Sequence, residues 1–490
     1  NVGGKEYKTF QQIRLKDIEN TPSPYLNGMY DKLISGAEKK LAYSAIVESA
    51  RGCPYSCAFC EIGSSYYQKI RTNYKKIKDE IEWIATRKIE YVTDANSNFG
   101  ILYDSDFYLA EYVKFISNKY SFPKAYRVTW AKGKADRVID IAKIFEEAGV
   151  QKGMTIALQS MNPKVLKAIN RKNIDSGKLG EFIQMYERAS ISSYIELIWG
   201  LPEETLVSFI DGVCSILETG YHNYLDIHFM MVLPNSLIAE SEYIKKYEIV
   251  TTKTQPRFSH RHISGQLSTD TVNFLTQSSS FTEEEWLEGY LFRWSIIFGH
   301  YLGPLQFIAR GLNIIYNVAY KDFYVMLLSF SKGDTNSFIG REYKQVLSDA
   351  RKILTNQRHW GEVIDDVSDI NWDVDEAMCI KIASNRNKFY EEIREIILHS
   401  FSFIDIDIDI LSELIKYQYN RLHSPYEVYP KQEKFIYNLH DVIEKGGVLE
   451  SCENKLIFYG KNYNSNIYEW AKDVLWYGRR IGAYKTNVRK

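Results

Sequence analysis

Three closely spaced cysteines are the residues of this chain most able to do chemistry. Cys53, Cys57 and Cys60 have the spacing C-x3-C-x2-C, and an aromatic residue, Phe59, precedes the last of them. Three thiolates at this spacing can ligate three irons of a four-iron cluster. The fourth iron then has no protein ligand and can bind a substrate or cofactor, whereas a fully ligated cluster only transfers electrons. The spacing therefore predicts a [4Fe-4S] cluster with one open iron.

Two other uses of these cysteines stay open from the spacing alone. A structural zinc site usually needs four protein ligands and commonly pairs two short spacings. The other three cysteines are isolated, at positions 214, 379 and 452. Cys57 and Cys60 also have the C-x-x-C spacing of a redox pair, but that interpretation leaves Cys53 without a role.

The elements around the cysteines alternate between strand and helix from Ala42 to about Met231. The predicted strands cover residues 42–48, 89–93, 126–130, 153–159, 193–198 and 224–231. The predicted helices cover residues 74–87, 106–119, 135–148 and 203–218, and another begins at Asn162-Pro163. Such repeats form a parallel sheet with right-handed crossovers. Six of them predict an α/β fold, a partial (β/α)6 TIM-like barrel, with functional residues at the carboxyl ends of its strands.

The remaining pattern predicts a mainly α-helical C-terminal domain, which would select the substrate. The predicted divisions are a linker-like segment over 1–40, the barrel over 41–250, a loop or linker over 251–281 and the helical domain over 282–490. Thr282 and Glu285 have the capping-box spacing of a helix start, and a late strand is predicted over 455–459. His260 and His262 have no acidic or cysteine partner at a matching spacing, which favours a loop over the barrel mouth rather than a metal site.

Composition excludes several classes of partner. The 61 basic and 62 acidic residues give a formal charge of −1, which provides no general attraction to nucleic acid or anionic membranes. No apolar run reaches the roughly 18 residues of a membrane-spanning helix, and no signal peptide is visible. The few cysteines, half of them in one motif, suit a reducing cytoplasm. Arg479 and Arg480 belong to a modest basic stretch that we interpret as a solvated end.

The cysteine motif resembles that of the radical S-adenosylmethionine (SAM) superfamily. The resemblance extends from about Ile18 to Trp286, and it is closest to members with a cobalamin-binding domain ahead of the barrel. In this family SAM chelates the open iron through its amino and carboxylate groups, and the reduced cluster cleaves SAM to a 5′-deoxyadenosyl radical. The resemblance implies [4Fe-4S] and SAM as cofactors, Phe59 as a cofactor-binding residue, an external one-electron reductant of flavodoxin or ferredoxin type, and a small-molecule biosynthetic substrate.

The end of the second predicted strand resembles the stretch with which the family binds the SAM amino group. A short acid or amide there can accept hydrogen bonds from that cationic group. Relatives have a similar Asp-Ala-Asn-Phe-Gly stretch, and here two residues are inserted. Asp94, Asn96 and Asn98 are therefore alternative candidates, and each of them also suits a polar turn that only shapes the loop.

The ends of the fourth and fifth strands carry the other residues of the resemblance. Gln159 and Ser160 resemble the pair that meets the ribose hydroxyls. Arg171 resembles the arginine that faces the methionine carboxylate, which a guanidinium fork matches well; its structural alternative is a cation at a helix end. Ile198 would pack on the adenine, and Gly200 would allow a close backbone approach.

The resemblance implies an enzyme, and a cobalamin-dependent methyltransferase acting on an unactivated carbon is favoured. The segment from Asp17 to Gly28 resembles the linker that follows a cobalamin domain, although no Asp-x-His-x-x-Gly cobalamin motif occurs in the sequence. We therefore expect the gene product to have a further, flavodoxin-like N-terminal domain, and cobalamin to bind the full-length protein. The alternatives are a non-methylating isomerase, mutase or carbon–sulfur enzyme, and a non-catalytic iron–sulfur scaffold or sensor.

Overall fold

The computed structural model describes residues 18–36, 43–132, 135–151, 153–173, 176–189, 191–262, 270–334 and 336–489. These residues form two compact units, 18–55 with 65–151 and 56–64 with 153–489. Asp17 and the part of the predicted loop over 263–269 lie outside the described residues. Each unit is built around its own three-stranded parallel sheet.

The first unit contains strands β1 (Ser44–Val47), β2 (Tyr91–Asp94) and β3 (Ala125–Arg127), hydrogen-bonded in that order. Its helices are Asp31–Ser35, Tyr74–Thr86, Tyr103–Tyr120 and Ala135–Glu147, with a short 3₁₀ turn at Ser65–Tyr67. A two-residue antiparallel ladder joins Ala50–Arg51 to Arg71–Thr72. The helix that begins at Tyr74 buries three isoleucines completely, because they recur at helical spacing: Ile77, Ile81 and Ile84.

The second unit begins with strands β4 (Met154–Gln159), β5 (Ser193–Trp199) and β6 (Leu225–Phe229), again parallel and in chain order. The helices among and after them are Pro163–Ala168, Ser176–Arg188, Leu206–Glu218 and Ser241–Tyr247, with 3₁₀ turns at Glu61–Gly63 and Leu237–Ala239. The predicted helix start at Asn162-Pro163 is confirmed: the Asn162 side chain accepts a hydrogen bond from the backbone N–H of Lys164, and Pro163 is the first helical residue.

The two parallel sheets confirm a mixed α/β fold. That the six strands join into one partial barrel stays a prediction, as do the predicted domain limits. The pattern also did not separate the helix over Ser176–Arg188 from the one that begins at Pro163.

The stretch predicted as a loop forms a hairpin instead. Strand β7 (Val250–Thr254) pairs antiparallel with β8 (Val272–Gln277), and the hydroxyls of Thr252 and Thr276 are 2.8 Å apart across them. The backbone of β8 also bonds to the segment after β6, where Leu275 donates its N–H to the carbonyl of Met230. The Ser/Thr-rich composition suggested a loop, but threonine also suits a strand when a partner strand is available.

The chain beyond Thr282 is mostly helical, as predicted. Its helices are Glu283–Ile296, Gln306–Tyr316, Tyr320–Gly333, Phe338–Leu354, Val374–Ser384, Arg386–Ser400, Ile408–Arg421, Leu439–Lys445 and Ile467–Ala471, with π-helical turns at Ile297–Tyr301 and Lys472–Tyr477 and a 3₁₀ turn at Arg479–Ile481. The predicted capping box of Thr282 and Glu285 is present. Among the described helices, none combines the length and apolar character needed to cross a bilayer.

Two small antiparallel elements accompany these helices. Strands β9 (Lys431–Tyr437), β10 (Ser451–Tyr459) and β11 (Asn487–Arg489) form one sheet, which contains the predicted late strand, and Glu362–Val363 pairs with Asn371–Trp372. The interpretation of Arg479 and Arg480 as a solvated end is wrong. Their side chains are only 21% and 25% exposed, because the 3₁₀ turn that carries them packs on the second unit's own acidic residues.

Candidate functional site

The cysteine loop is fixed by its backbone rather than by disulfides, since all three of its cysteines are free thiols. In the first unit, Cys53 donates its backbone N–H to the carbonyl of Tyr67 at 2.8 Å. Its neighbour Gly52 has a φ of +120°, and a Cβ there would lie 2.6 Å from the carbonyl oxygen of Lys69. Only glycine fits this backbone approach, so the sequence immediately before Cys53 is part of what orients its thiol.

The other two cysteines belong to the second unit. Ala58, between them, donates its N–H to the carbonyl of Ile169 at 3.0 Å, and Cys60 donates its N–H to the carbonyl of Cys57 at 3.1 Å. Cys57 is buried and Cys60 is half-buried. Phe59, predicted to contact a cofactor, is also half-buried.

Asn98 is the polar residue of the first unit that reaches a cysteine sulfur. Its side-chain amide donates from Nδ2 to Sγ of Cys53 at 3.1 Å. Its other side-chain atom, Oδ1, is buried and has no hydrogen-bond partner among the described residues. Buried polar atoms are rarely left unpaired, so this carbonyl oxygen is an acceptor available to a bound group.

Asp94 and Asn96, the alternatives to Asn98, are occupied in shaping the loop. The buried carboxylate of Asp94 accepts from the backbone N–H groups of Ser49 at 2.9 Å and Asn96 at 3.1 Å, and from the hydroxyl of Tyr126 at 3.1 Å. Asn96 donates to Oγ of Ser49 and accepts from the N–H of Asn98 at 3.0 Å. Burial raises the pKa of Asp94 despite these hydrogen bonds. Both residues therefore support the loop that presents Asn98.

Asp106 stabilises the other end of the same loop through hydrogen bonds. One of its carboxylate oxygens accepts from the backbone N–H groups of Gly100 at 2.7 Å and Leu102 at 3.2 Å, and the other accepts from the hydroxyl of Tyr74 at 2.6 Å. Burial raises the pKa of Asp106 to about 6. Nothing in the local sequence singles out Asp106, because its partners come from another helix and from backbone groups.

Arg171 is the residue of the second unit that reaches a cysteine sulfur. Its Nη1 lies 3.8 Å from Sγ of Cys57 and its Nε donates to Oδ1 of Asn173 at 2.9 Å, while Nη2 donates to the carbonyl of Ala157 in β4. Asn173 in turn donates to the carbonyls at the end of β4, those of Leu158 and Ser160. The guanidinium is thus fixed against β4 beside the thiol of Cys57.

The polar pair after β4 is held in an unusual backbone conformation. Gln159 has a φ of +68°, in the left-handed region that non-glycine residues seldom adopt. The hydroxyl of Ser160 donates to Oε2 of Glu204 at 2.5 Å, and that of Ser208 donates to Oε1 of the same carboxylate. Burial raises the pKa of Glu204. Sequence reasoning missed Glu204 as an anchor of Ser160, although its place after Gly200-Leu201-Pro202 was a usable signal.

Ile198 and Gly200 lie at the end of β5. Ile198 is half-buried and pairs in register with His228 of β6, as Glu196 does with Asp226, so these four side chains share one face of the sheet. Gly200 has a φ of +94°, and a Cβ there would lie 3.1 Å from the carbonyl oxygen of Leu275. Gly200 thus lies close to the backbone of β8, and its approach to a cofactor stays a prediction.

The chemistry of these donors suits an iron–sulfur cluster. No group of three His, Cys, Asp or Glu side chains in the described residues is arranged around a single metal position. Ligands of a cluster bind separate irons and need not converge on one atom. Each unit also brings an N–H donor to a cysteine sulfur, which suits a thiolate ligand. His260 and His262 instead contact single carboxylates, of Glu376 and Asp369.

Known proteins similar to this chain agree with that chemistry. Residues 47–211 match the family model described as the radical SAM superfamily. The chain is 30% identical over 396 residues to the cobalamin-dependent radical SAM methyltransferase TokK of Streptomyces tokunonensis, across 78% of this chain and 58% of that protein. It is 29% identical over 432 residues to the 2-(S-pantetheinyl)-carbapenam-3-carboxylate methyltransferase of Streptantibioticus cattleyicolor, across 84% of this chain and 62% of that protein.

The chain therefore spans about three fifths of the length of these curated relatives. Among solved structures, it is similar to the radical SAM methyltransferase TsrM of Kitasatospora setae with cobalamin and a [4Fe-4S] cluster bound. That similarity has a TM-score of 0.33 and 13% identity, over 40% of this chain and 39% of that one.

Proposed function

Because this chain belongs to the radical SAM superfamily through residues 47–211, we propose that it is a cobalamin-dependent radical SAM methyltransferase. Its substrate is a small biosynthetic molecule with an unactivated carbon. The relatives named as methyltransferases align with 78% and 84% of this chain, well beyond the matched domain. A carbapenam carboxylate, after the name of the second relative, is the first substrate to test.

The observation that carries the proposal is the pair of N–H donors at cysteine sulfurs. Cys53, Cys57 and Cys60 hold the cluster, with Asn98 donating to the first and Arg171 to the second of these sulfurs. When bound, the cluster and SAM supply a 5′-deoxyadenosyl radical that abstracts hydrogen, and cobalamin supplies the methyl group. Hydrogen bonds to a thiolate withdraw electron density from it, so both donors make the site easier to reduce.

The chain's other residues bind and orient SAM in this proposal. The buried Oδ1 of Asn98 accepts from the amino group, and the guanidinium of Arg171 attracts the carboxylate. Gln159 and Ser160 meet the ribose, and Ile198, on the open face of β5, packs on the adenine. Asp94 and Asn96 hold the loop of Asn98. Gly200 and Phe59 complete the predicted set of cofactor contacts.

The experiment is an anaerobic assay of the reconstituted protein with SAM and a one-electron reductant such as reduced flavodoxin. We expect 5′-deoxyadenosine to form. With the full-length gene product, hydroxocobalamin and deuteromethyl-SAM, we expect the deuteromethyl group to be transferred to 2-(S-pantetheinyl)-carbapenam-3-carboxylate or a related acid. Absence of 5′-deoxyadenosine from a four-iron preparation would favour the scaffold or sensor. Formation of 5′-deoxyadenosine with cobalamin bound, but with substrate rearranged rather than methylated, would favour a radical isomerase.

A further inference from the structure

A cavity of about 540 Å³ lies within the second unit, against the end of β6. We call it the arginine cavity, and it is lined by Asp226, His228, Phe229, Met231, Pro256, Arg257, Phe258, Ser259, Val272, Phe274, Asp373, Arg479 and Arg480. Its volume is in the range that encloses a small organic molecule. None of these residues belongs to the predicted cluster and SAM set.

The arginine cavity lies beside one residue of that set, Ile198. Asp226 and His228 form part of its wall and lie on the same face of the sheet as Glu196 and Ile198, because these residues are direct cross-strand partners in β5 and β6. Ile198 is the residue predicted to pack on the adenine of SAM. A molecule in the cavity therefore lies beside the strand face that is assigned to the cofactor.

Two of the three arginines in the wall are neutralised by well-formed ion pairs. Arg257 contacts both carboxylate oxygens of Asp373, from Nε at 3.2 Å and from Nη2 at 3.1 Å. Arg479 donates from Nη1 to the buried Glu376 at 2.8 Å. These pairs fix two guanidinium groups in place and use much of their hydrogen-bonding capacity.

Arg480 is held much more loosely. Its two hydrogen bonds, to Oδ2 of Asp226 and to the hydroxyl of Tyr194, are both 3.4 Å long, and the guanidinium lies over the ring of Tyr194 at 4.3 Å. Charge-assisted bonds between a guanidinium and a carboxylate are usually about 2.7–2.9 Å long. The tyrosine ring and Asp226 thus orient Arg480 without using its full hydrogen-bonding capacity.

The carboxylate of Asp226 stays ionised at neutral pH. Burial alone would raise its pKa, but the charges of His228 and of the three arginines outweigh burial and hold the pKa of Asp226 well below its usual range. Its oxygen is 4.0 Å from Nε2 of His228. A ligand carboxylate that binds Arg480 therefore takes the place of Asp226 on the guanidinium, and the hydrogen bond that it displaces is 3.4 Å long.

The rest of the wall is apolar and partly exposed. Met231 and Phe258 are 41% and 48% exposed, and Phe274 and Phe229 lie buried behind them. Large apolar side chains that stay exposed in a concave site mark a surface that a ligand can cover. A ligand of the arginine cavity thus needs an apolar body as well as an anionic group.

We infer that the arginine cavity binds the substrate as an amphipathic monocarboxylate, with its carboxylate on Arg480 and its apolar body against Met231 and Phe258. This inference rests on the proposed function, because it takes the cavity to be the substrate site of the radical SAM reaction. One loosely held guanidinium matches one carboxylate, and a bidentate pair with it replaces two long hydrogen bonds by two short ones.

The test is direct binding of small probes to the whole protein, measured by saturation-transfer NMR titration. The probes are phenylacetate, its uncharged methyl ester, the cation phenethylammonium and the dianion phenyl phosphate. We expect phenylacetate to bind with a Kd on the order of millimolar, as suits a ligand of this size, and at least fivefold more tightly than the other three. Equal binding of acid and ester, or tighter binding of phenyl phosphate, would overturn the inference.

Variants assign the binding to Arg480. Arg480→Met should weaken phenylacetate at least fivefold, and Arg480→Glu should reverse the preference toward phenethylammonium, which a merely unfolded variant cannot do. Arg489→Met is the matched control, because Arg489 is an exposed arginine of β11, and should leave every affinity unchanged. Unchanged binding in both Arg480 variants would refute the assignment. The titration needs no reductant, so a failure of SAM cleavage would not affect this readout.

Discussion

Nη1 of Arg171 lies 3.8 Å from Sγ of Cys57, so a buried guanidinium faces one of the three clustered thiols. Nothing local in the sequence requires this, since the two residues are 114 positions apart. The relationship arises because Asn173 and the carbonyl of Ala157 hold the guanidinium against the end of β4.

Replacing the three cysteines should abolish iron binding. The variant with Cys53, Cys57 and Cys60 all changed to Ala should bind no cluster, whereas the wild type should hold about four irons per chain after anaerobic reconstitution. Iron analysis and the visible absorption of the cluster measure this directly. Cys452→Ala is the control, because Cys452 is exposed and lies elsewhere. A full iron content in the triple variant would refute the assignment.

Arg171 should matter for SAM more than for iron. Arg171→Met removes the cation beside Cys57, so the cluster should still form but SAM should bind about 1.5–3 kcal/mol more weakly, as for a lost hydrogen bond to a charged group. Arg171→Lys keeps the charge without the planar fork and should restore part of the affinity. Equilibrium binding of SAM to the oxidised protein is the measurement, and equal affinities in all three proteins would contradict the proposed role.

Substitution of Asn98 should alter the cluster and SAM binding, whereas substitution of Asn96 should alter the stability of the fold. Asn98→Ala removes the donor at Cys53 and the open acceptor, so the reduction midpoint of the cluster should become more negative and SAM should bind more weakly. Asn96→Ala leaves Ser49 and the N–H of Asn98 unpaired. It should lower the free energy of unfolding by about 1–3 kcal/mol. Redox potentiometry followed by EPR measures the reduction midpoint, and chemical denaturation measures the free energy of unfolding. If both variants changed these two quantities in the same way, the distinction between Asn98 and Asn96 would be refuted.

Asp106 should make stability depend on pH in a defined window. Its folded pKa of about 6 exceeds the ordinary aspartate value, so the folded state binds its proton more tightly than the unfolded state does. Its contribution to the free energy of unfolding is therefore greatest below about pH 4 and falls as the pH rises through 6. For a shift of about two pKa units, the loss is about 3 kcal/mol.

The matched variant for this effect is Asp106→Asn. The amide can still accept from the backbone at Gly100 and can donate to the hydroxyl of Tyr74, so the loop keeps its hydrogen bonds. The difference in unfolding free energy between wild type and variant should change with pH between 4 and 6 and be flat above 7. A difference independent of pH would show that the carboxyl group titrates normally.

Local signals made much of the fold predictable from the sequence. Three of these signals involve residues within one or two turns of a helix, so they can be recognised along the chain. They are the helix start at Asn162-Pro163, the capping box of Thr282 and the isoleucines of the helix at Tyr74–Thr86. The alternation of strand and helix likewise gave parallel sheets. What was not predictable depends on partners farther away in the chain, as where the N–H of Leu275 in β8 donates to the carbonyl of Met230 after β6.

In the candidate site, too, the features that depend on neighbouring residues were predictable and those that depend on the folded chain were not. The cysteine spacing is local and could be recognised at once, but the choice among Asp94, Asn96 and Asn98 depends on how side chains close hydrogen bonds within the folded loop. Arg480 was taken for a solvated residue, because its partner Asp226 is 254 positions away. A pattern of charges along the chain contains no information about such a pair.

The location of Arg480 also bears on how such a protein diversifies. In the proposed substrate site, the carboxylate contact comes from the 3₁₀ turn Arg479–Ile481, while strands β4 to β6 carry residues assigned to the cofactor. Substitutions in that one turn can therefore alter which acid binds without changing a residue that is assigned to the cofactor. A new substrate preference is then separable, mutation by mutation, from the radical chemistry proposed for this chain.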